Sequence, residues 1–290
     1  MTKQQILVQR DTDNHVGRIT LNRPDKKNSY DLTMRNQLAD ALDELAEDDT
    51  VKAVVLRGSN GIFSTGADMG NAYRWYAKGE ELDRPSKSRP SQRTRIAVDR
   101  NTFDFYRRLG SYPKVTVAEV TGYALGGGLE MALYCDMCVI GEDTRIGMPA
   151  TRFLGPALGS LHLFFYRLGP TLTKRLLLTG DIVQARALSH LNIFTETLPD
   201  EQVPARAAWL ATKAARMPAD GIAIAKEAFR LVEQLQHYQG EDVISPLIHA
   251  FATNLQFSAG EFNFVKTRAL HGTRQAFAMR DEHFEVPEPQ

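Results

Sequence analysis

Two glycine-containing turns, each directly after a short apolar strand, constrain this chain more than any other feature. The run AVVLR (53–57) leads into GIFSTGADM, and the run VTVAEV (115–120) leads into TGYALGGGLEM. A turn from strand into helix leaves backbone N–H groups without intrahelical partners at the positive end of a helix dipole. Two such turns side by side would offer two N–H donors to one oxygen atom, which is the requirement of an oxyanion hole.

The glycine spacing excludes two common nucleotide-binding motifs. Glycines at 122, 126, 127 and 128 do not form the G-x-G-x-x-G fingerprint, and the chain has no G-x-x-x-x-G-K-[ST] phosphate loop. Taken alone, the triplet Gly126–Gly128 is equally well explained by tight packing. Its functional meaning therefore depends on the other motifs.

The surrounding pattern predicts an α/β fold. Small and apolar residues alternate over His15–Asn22, as they do in a half-buried strand. An apolar stripe at helical spacing follows, formed by Leu32, Leu38, Leu42 and Leu45. Asp31 is the predicted N-cap of that helix. Together with the strand over 53–57, these segments form a strand–helix–strand crossover.

The same order returns later in the chain, which predicts a parallel or mixed sheet flanked by helices to about residue 200. The later helices are predicted at Asp99–Leu109, from Gly127 to Tyr134 and in LTKRLLLTG, and the later strands at Val115–Val120 and Met137–Ile140. Three further helices are predicted at Pro204–Ala215, Gly221–Leu235 and Pro246–Leu255, before a basic tail. We therefore expect a core over 1–200 and a helical region over 201–290.

Composition narrows the classes of partner. Lys plus Arg and Asp plus Glu balance at 35 each, so no overall field points to nucleic acid or to a membrane. The first residues contain no apolar signal core and no stretch approaches a membrane span, so we expect a cytoplasmic protein. Cys135 and Cys138 are too few for a zinc site without further ligands and are predicted to be buried thiols.

The segment RPSKSRPSQRTR (84–95) breaks the pattern, with five basic residues, two prolines and no acid. It is interpreted as a solvated surface loop. The alternative is a lid whose basic side chains meet the phosphates of a ligand.

Four motifs in order give the chain a resemblance to a known family. ITLNRPDKKNS, FSTGADM, VTGYALGGGLEMALYCD and LLLTGD resemble the enoyl-CoA hydratase/isomerase (crotonase) superfamily over roughly residues 5 to 200. The resemblance implies a spiral of repeated ββα units with a helical C-terminal region. It also implies trimers, often paired into hexamers, and an acyl-CoA thioester as substrate. No metal, flavin or nicotinamide is implied, and coenzyme A enters only as part of the substrate.

The resemblance also assigns roles to particular residues. The oxyanion N–H groups would come from Ala67 and Gly127, and Glu130 would be the general acid/base. Lys26 and Lys27 fall where the family contacts the nucleotide end of coenzyme A. The remaining residues expected to bind substrate are Gly66, Asp68, Gly126, Ala150 and Arg152. Asp68 and Asp136 are interpreted as capping groups rather than catalytic ones.

The chain departs from the hydratase pattern at one position. GMPATRFLG carries Ala150 where hydratases of this family have a second Glu, and no Asp or Glu occurs between Thr144 and Gly180. Candidates to fill the gap are Thr151, Arg152 and His162. Glu119 is interpreted as a packing or interface residue.

Three functions remain open on the sequence. The first is an enoyl-CoA hydratase or a close lyase, which needs Glu130 and a partner to add water. The second is an enoyl-CoA isomerase, since moving a double bond needs only one well-placed base. The third is a paralogue that binds acyl-CoA without turnover. Aromatic and apolar side chains that could line the acyl pocket are Phe63, Met69, Tyr73, Trp75 and Phe153.

Overall fold

A computed structural model describes residues 4–70, 90–238, 240–252 and 255–286. The strands are β1 (Ile6–Asp11), β2 (Val16–Leu21), β3 (Ala53–Gly58), β4 (Val115–Val120), β5 (Tyr123–Leu125), β6 (Met137–Gly141), β7 (Arg145–Gly147), β8 (Ile182–Gln184) and β9 (Glu196–Leu198). The helices are α1 (Leu32–Glu47), α2 (Gln92–Gly110), α3 (Gly127–Tyr134), α4 (Thr151–Leu154), α5 (Leu161–Arg167), α6 (Gly169–Thr179), α7 (Val203–Ala215), α8 (Ala219–Glu233), α9 (Glu241–Ala252) and α10 (Phe264–Phe284).

A six-stranded sheet in the order β1-β2-β3-β4-β6-β9 forms the centre of the fold. β1 pairs antiparallel with β2, and the other neighbours pair in parallel. Because β3 and β4 are parallel neighbours, their carboxyl ends lie at the same edge of the sheet. The two glycine turns that follow these strands are therefore brought together. The predicted α/β architecture is confirmed.

A second, three-stranded sheet, in the order β5-β7-β8, begins with a strand inside the second glycine turn. The chain leaves β4 through Gly122, whose φ of +69° a residue with a side chain rarely adopts. A Cβ there would also lie 2.5 Å from the Gly61 carbonyl oxygen. The short strand β5 thereby lies against the first turn rather than continuing the large sheet.

Apolar side chains pack on both faces of the large sheet. The larger core lies between the sheet and helices α1, α2 and α3, and it includes Leu45 and Leu129. On the opposite face, α7 presents Ala207, Ala211 and Ala215 to valines of the strands. Alanines four residues apart share one helix face, so α7 approaches the sheet closely.

The structure confirms most of the predicted elements and corrects others. Asp31 caps α1 by accepting a hydrogen bond from the Met34 N–H at 2.9 Å. The basic segment is not a loop throughout, because α2 begins at Gln92 and its Arg95 is buried. Residues 84–89, and the helix expected after the first turn, lie outside the described residues. Helix α10 lies in the segment that was expected to be a basic tail. Strand β1 was not predicted.

Leu45→Ala should destabilise the protein strongly, because Leu45 is fully buried in the larger core. Loss of a buried leucine typically costs about 2–5 kcal/mol of unfolding free energy. The matched control is Leu178→Ala, since Leu178 is 71% exposed on α6. Urea unfolding of both variants tests this prediction, and equal losses would contradict the assigned core.

Candidate active site

The two glycine turns touch each other through their backbones. Ser64 of the first turn donates its N–H to the Tyr123 carbonyl at 2.8 Å and accepts from the Leu125 N–H at 3.0 Å. A Cβ on Gly128 would lie 2.4 Å from the Ser64 carbonyl oxygen, so this approach requires glycine. The first turn is thus held against β5 and the beginning of α3.

Gly66 brings the end of the first turn onto the glycine triplet. Its φ is +83°, and a Cβ there would lie 3.0 Å from the Gly127 nitrogen. Tyr30 fixes the next residues, because its N–H donates to the Gly66 carbonyl and its carbonyl accepts from the Asp68 N–H. Within the described part of the chain, neither the Ala67 N–H nor the Gly127 N–H has a hydrogen-bond acceptor.

Asn28, which sequence reasoning missed, holds the first turn in place through hydrogen bonds from its side chain to backbone carbonyl groups. It is fully buried, and its side-chain amide donates to the Ile62 carbonyl at 2.6 Å and to the Ser59 carbonyl at 3.1 Å. The Ser64 hydroxyl donates in return to the Asn28 carbonyl at 2.8 Å. The φ of Asn28 is +52°, a conformation that asparagine tolerates better than most residues. No local sequence pattern marks this contact, because Asn28 and Ile62 are 34 positions apart.

Glu130 lies in the first turn of α3 with its carboxyl group buried. One oxygen, Oε1, accepts hydrogen bonds from the Ser160 N–H and from the Ser160 hydroxyl, both at 2.8 Å. Burial raises the pKa of Glu130 to about 7, although the two bonds from Ser160 oppose that shift. Ser160, also missed by sequence reasoning, follows Gly159, whose φ is +81°.

Two buried tyrosines pack against Gly127. The hydroxyl groups of Tyr30 and Tyr106 are hydrogen-bonded to each other, and a Cβ on Gly127 would overlap both. Burial raises the pKa of both tyrosines, and the nearby charge of Glu130 adds to the effect. Both are therefore neutral near pH 7, and they limit the residue at 127 to glycine.

One cavity of about 900 Å³ connects these groups. Ala67, Gly127 and Glu130 line it, and so do Lys26 and Lys27. The other predicted residues in its wall are Asp68, Met69, Gly126, Ala150 and Phe153. Phe63 is instead fully buried in the larger core, while Tyr73 and Trp75 lie outside the described residues. The cavity wall also includes Asp99 of α2 and His249 of α9, which the sequence did not single out.

Gly66, which was predicted to bind substrate, is not part of the cavity wall, and neither are the three candidates for the missing second group. Arg152 turns away, because its Nε donates to the Thr179 carbonyl at 3.3 Å and its guanidinium pairs with Asp281 at 3.6 Å. The Thr151 hydroxyl donates to the Met148 carbonyl. His162 contacts Glu241, with 2.7 Å between Nδ1 and Oε2.

The remaining acidic residues hold the structure together. Asp68 pairs with Arg23 at 2.7 Å and accepts from the Gly70 N–H, as a capping group does. Asp136 accepts from the Thr116 N–H and hydroxyl and also pairs with Lys226. Glu119 is buried outside the cavity, 3.5 Å from Arg57. These contacts agree with structural roles for all three carboxylates.

Cys135 and Cys138 are both buried and free, as predicted. Burial raises the pKa of Cys138 to about 12, so the thiol stays protonated at neutral pH. In the described ranges, no group of three or more His, Cys, Asp or Glu side chains is arranged to hold a metal ion. None of the helices described is long and apolar enough to cross a membrane.

Comparison with known proteins gives consistent matches. The sequence model of the enoyl-CoA hydratase/isomerase family matches residues 11–273. A protein described as a probable enoyl-CoA hydratase in Mycobacterium tuberculosis is 31% identical over 281 residues, covering 95% of this chain and 100% of the relative. The 2,3-dehydroadipyl-CoA hydratase of Escherichia coli is 28% identical over 218 residues, covering 75% of this chain and 79% of that protein.

Solved structures show the same fold. An enoyl-CoA hydratase/isomerase from Xanthobacter autotrophicus Py2 superposes with a TM-score of 0.80 at 29% identity, covering 98% of this chain and 100% of that one. An enoyl-CoA hydratase from Mycobacterium smegmatis gives a TM-score of 0.82 at 25% identity, covering 96% and 94%. The predicted crotonase-like fold is confirmed, and the chain belongs to the enoyl-CoA hydratase/isomerase family.

Proposed function

We propose that the protein adds water to the double bond of 2-enoyl-CoA thioesters, through an enolate held by two backbone N–H groups. The observation that carries this proposal is that Ala67, Gly127 and Glu130 line one cavity. The thioester oxygen would accept from the N–H groups of Ala67 and Gly127. Fixed donors aimed at a developing negative charge lower the barrier by about 3 kcal/mol each.

Glu130 is the proton-transfer group of this proposal. Its ionised carboxylate takes a proton from water as the water oxygen bonds to the β-carbon. The hydrogen bonds from Ser160 to Oε1 hold the side chain in one orientation. Because the pKa of Glu130 is about 7, the group can both accept and release a proton near neutral pH.

The cationic residues of the cavity favour a substrate with phosphate groups. Lys26 and Lys27 line the cavity together with Arg23, and the Lys27 Nζ lies 4.9 Å from the centroid of the Tyr123 ring. Ammonium groups bind phosphates as point charges. We propose that the two lysines meet the nucleotide end of coenzyme A. Asp68, Gly126 and Ala150 then shape the thioester and acyl part of the site, and Gly66 contributes by holding the first turn against Gly127.

The alternative is an enoyl-CoA isomerase with a single carboxylate, and the observation that favours it is Ala150 in the cavity wall. In hydration, one group must make both proton transfers, which should be slow, or share them with a partner, whereas a double-bond shift needs one base. The relatives from Mycobacterium tuberculosis and Escherichia coli carry hydratase names, which supports the lyase. A paralogue that binds acyl-CoA without turnover would leave Glu130 unused. We keep the cytoplasmic location as a prediction from sequence.

Glu130→Gln should reduce kcat by roughly 10²–10⁴-fold or more and leave ligand affinity nearly intact. The amide oxygen of Gln can still accept both bonds from Ser160, so the local geometry is kept. The measurement is the loss of ultraviolet absorbance of a short 2-enoyl-CoA. Glu119→Gln is the matched control, since Glu119 is a buried carboxylate outside the cavity. Full activity of Glu130→Gln would refute the proposal.

The same variant should change how stability depends on pH. The pKa of Glu130 rises from its ordinary value of 4.5 to about 7 in the folded protein. The contribution of Glu130 to the unfolding free energy is fully present below pH 4.5. It is lost as the pH rises through 7, because the Glu130 carboxyl group ionises at lower pH in the unfolded chain than in the folded protein. The unfolding free energy of the wild type relative to Glu130→Gln should fall by roughly 3 kcal/mol between pH 4.5 and 8. Urea unfolding of both proteins at both pH values measures this change. A difference in unfolding free energy that does not vary with pH would contradict a buried Glu130 carboxyl group with a raised pKa.

We further propose that the protein is a homotrimer or a pair of trimers, joined through its C-terminal helices. Large apolar side chains of α8 and α9 are exposed in the single chain, among them Ile224 at 71%, Phe229 at 61% and Phe251 at 77%. Contiguous exposed apolar surface commonly marks an interface between subunits. Sedimentation should give a mass near three or six times 32.4 kDa. A mass near that of one chain would refute the oligomer.

A further inference from the structure

Ser160 lies at the N-cap of helix α5, yet its hydroxyl group does not cap that helix. A serine at this position ordinarily accepts a hydrogen bond from a backbone N–H of the first helical turn and thereby stabilises the helix. Here the hydroxyl donates instead to the Oε1 atom of Glu130, at 2.8 Å. The side chain therefore serves the carboxylate and not the helix that it begins.

Ser160 reaches Glu130 from outside the cavity. Leu158 and Gly159 line the cavity, whereas Ser160 is fully buried and is not part of the cavity wall. The φ of Gly159 is +81°, and a Cβ there would lie 2.7 Å from the ring of Phe164. This glycine lets the chain turn from the cavity wall to a buried position beside the carboxyl group.

The two oxygens of the Glu130 carboxyl group have different surroundings. Oε1 accepts hydrogen bonds from the N–H and from the hydroxyl of Ser160, each at 2.8 Å. A carboxylate oxygen has about two lone-pair sites, so these two donors fill Oε1. Oε2 receives no hydrogen bond from any residue that the structure describes. Because Glu130 lines the cavity, Oε2 is the oxygen left for a water molecule or a substrate.

The proposed hydration needs a carboxylate oxygen that is held in one orientation toward the reacting atoms. We infer that Ser160 is a positioning residue for this reaction: its hydroxyl group holds Oε1 of Glu130 and reserves Oε2 for proton transfer. The inference rests on the hydration proposed above, because it assigns a task to the same carboxylate. Ser160 acts through Glu130, since it does not line the cavity.

The Ser160 hydroxyl keeps its own proton throughout the reaction. Oε2 of Glu130 takes one proton from water while the water oxygen bonds to the β-carbon. The π electrons of the double bond move to the thioester oxygen, which the N–H groups of Ala67 and Gly127 stabilise as an enolate. Oε2 then gives a proton to the α-carbon, the thioester carbonyl re-forms, and Glu130 returns to its ionised form.

The same hydroxyl group favours the ionised form of Glu130. A donor that bonds to the charged form of an acid lowers its pKa, and both bonds from Ser160 act on Glu130 in this direction. Burial acts more strongly in the opposite direction, so the pKa reaches about 7. Loss of the hydroxyl would leave only the bond from the backbone N–H, and the pKa of Glu130 should then rise further.

Other charged groups act on Glu130 from the neighbouring elements. Glu241 of α9 raises the pKa of Glu130, and His249 of the same helix lowers it. The Nδ1 atom of His249 lies 3.1 Å from the Oδ2 atom of Asp99 on α2. The tyrosine pair also lies close enough to feel the charge of Glu130. A substitution at Ser160 keeps all these groups, so a changed pH profile would report the lost hydroxyl.

The test compares Ser160→Ala, Ser160→Thr and Thr173→Val in the full-length protein, through kcat/KM for a short 2-enoyl-CoA as a function of pH. This ratio reports the ionisation of groups in the free enzyme. The ascending limb of Ser160→Ala should move to higher pH by about one unit, because one hydrogen bond to the ionised carboxylate is lost. Its kcat/KM should then be reduced about fivefold near pH 7 and recover by roughly pH 9.

Two of the variants are controls. Ser160→Thr keeps a hydroxyl group and should keep the ascending limb of the wild type. Thr173→Val tests whether a looser α5 is enough, because the buried Thr173 hydroxyl donates to the Phe164 carbonyl of α5 at 2.8 Å. It should leave the limb in place. If Ser160→Ala does not fold, Ser160→Gly removes the same hydroxyl and should show the same shift.

An ascending limb that stays in place without the Ser160 hydroxyl would overturn the inference. An equal shift in Thr173→Val would also overturn it, because the effect would then come from the packing of α5. An equal shift in Ser160→Thr would do the same, because the hydroxyl would not be the cause. A wild-type protein that does not hydrate 2-enoyl-CoA would overturn the proposed function, and this inference with it. An active wild type with an unshifted Ser160→Ala would overturn this inference alone.

Discussion

Backbone contact between two glycine turns sets the position of the two N–H groups that are proposed to hold the thioester oxygen. Gly128 lies against the Ser64 carbonyl, and Gly66 lies against the Gly127 nitrogen. A side chain at either glycine would separate the turns, because the nearest atoms are backbone. The parallel pairing of β3 with β4 brings the turns to one edge of the sheet, and the glycines then allow them to touch. The N–H groups of Ala67 and Gly127 are consequently fixed by the fold rather than by mobile side chains.

Burial of Glu130 is the second constraint, and it has an energetic cost. A carboxyl group enclosed by protein favours its neutral form, and the two hydrogen bonds from Ser160 only partly offset that preference. The result is an acid whose pKa of about 7 lies close to the pH at which proton transfer is most effective. Such a shift is typical of functional sites, where stability is traded for reactivity.

Local patterns predicted much of the fold because they depend on neighbouring residues. The leucine stripe and Asp31 predicted α1 and its N-cap, and the turn after β4 predicted the start of α3 at Gly127. The same patterns could not predict that Asn28 reaches under the first turn or that Ser160 meets Glu130. Those contacts join residues about 30 positions apart, and no periodicity links them.

The C-terminal helices show the same limit more strongly. Asp99 and His249 are 150 positions apart, and each reads as an ordinary polar residue on a predicted helix. Their contact depends on how α9 packs on α2, which the glycine motifs do not determine. Arg152, which was predicted to bind substrate, points elsewhere. A position two residues after Ala150 does not set the direction of a side chain at the start of a short helix.

The most direct test of the central claim is the infrared stretching frequency of a thioester carbonyl bound to the protein. A 2-enoyl-CoA labelled with ¹³C at the carbonyl would be bound to Glu130→Gln, which should not turn it over, and compared with the free thioester. Two N–H donors from Ala67 and Gly127 weaken the carbonyl bond, so the band should move to lower frequency. A bound thioester whose carbonyl frequency equals that in water or rises above it would contradict an oxyanion hole at these two residues.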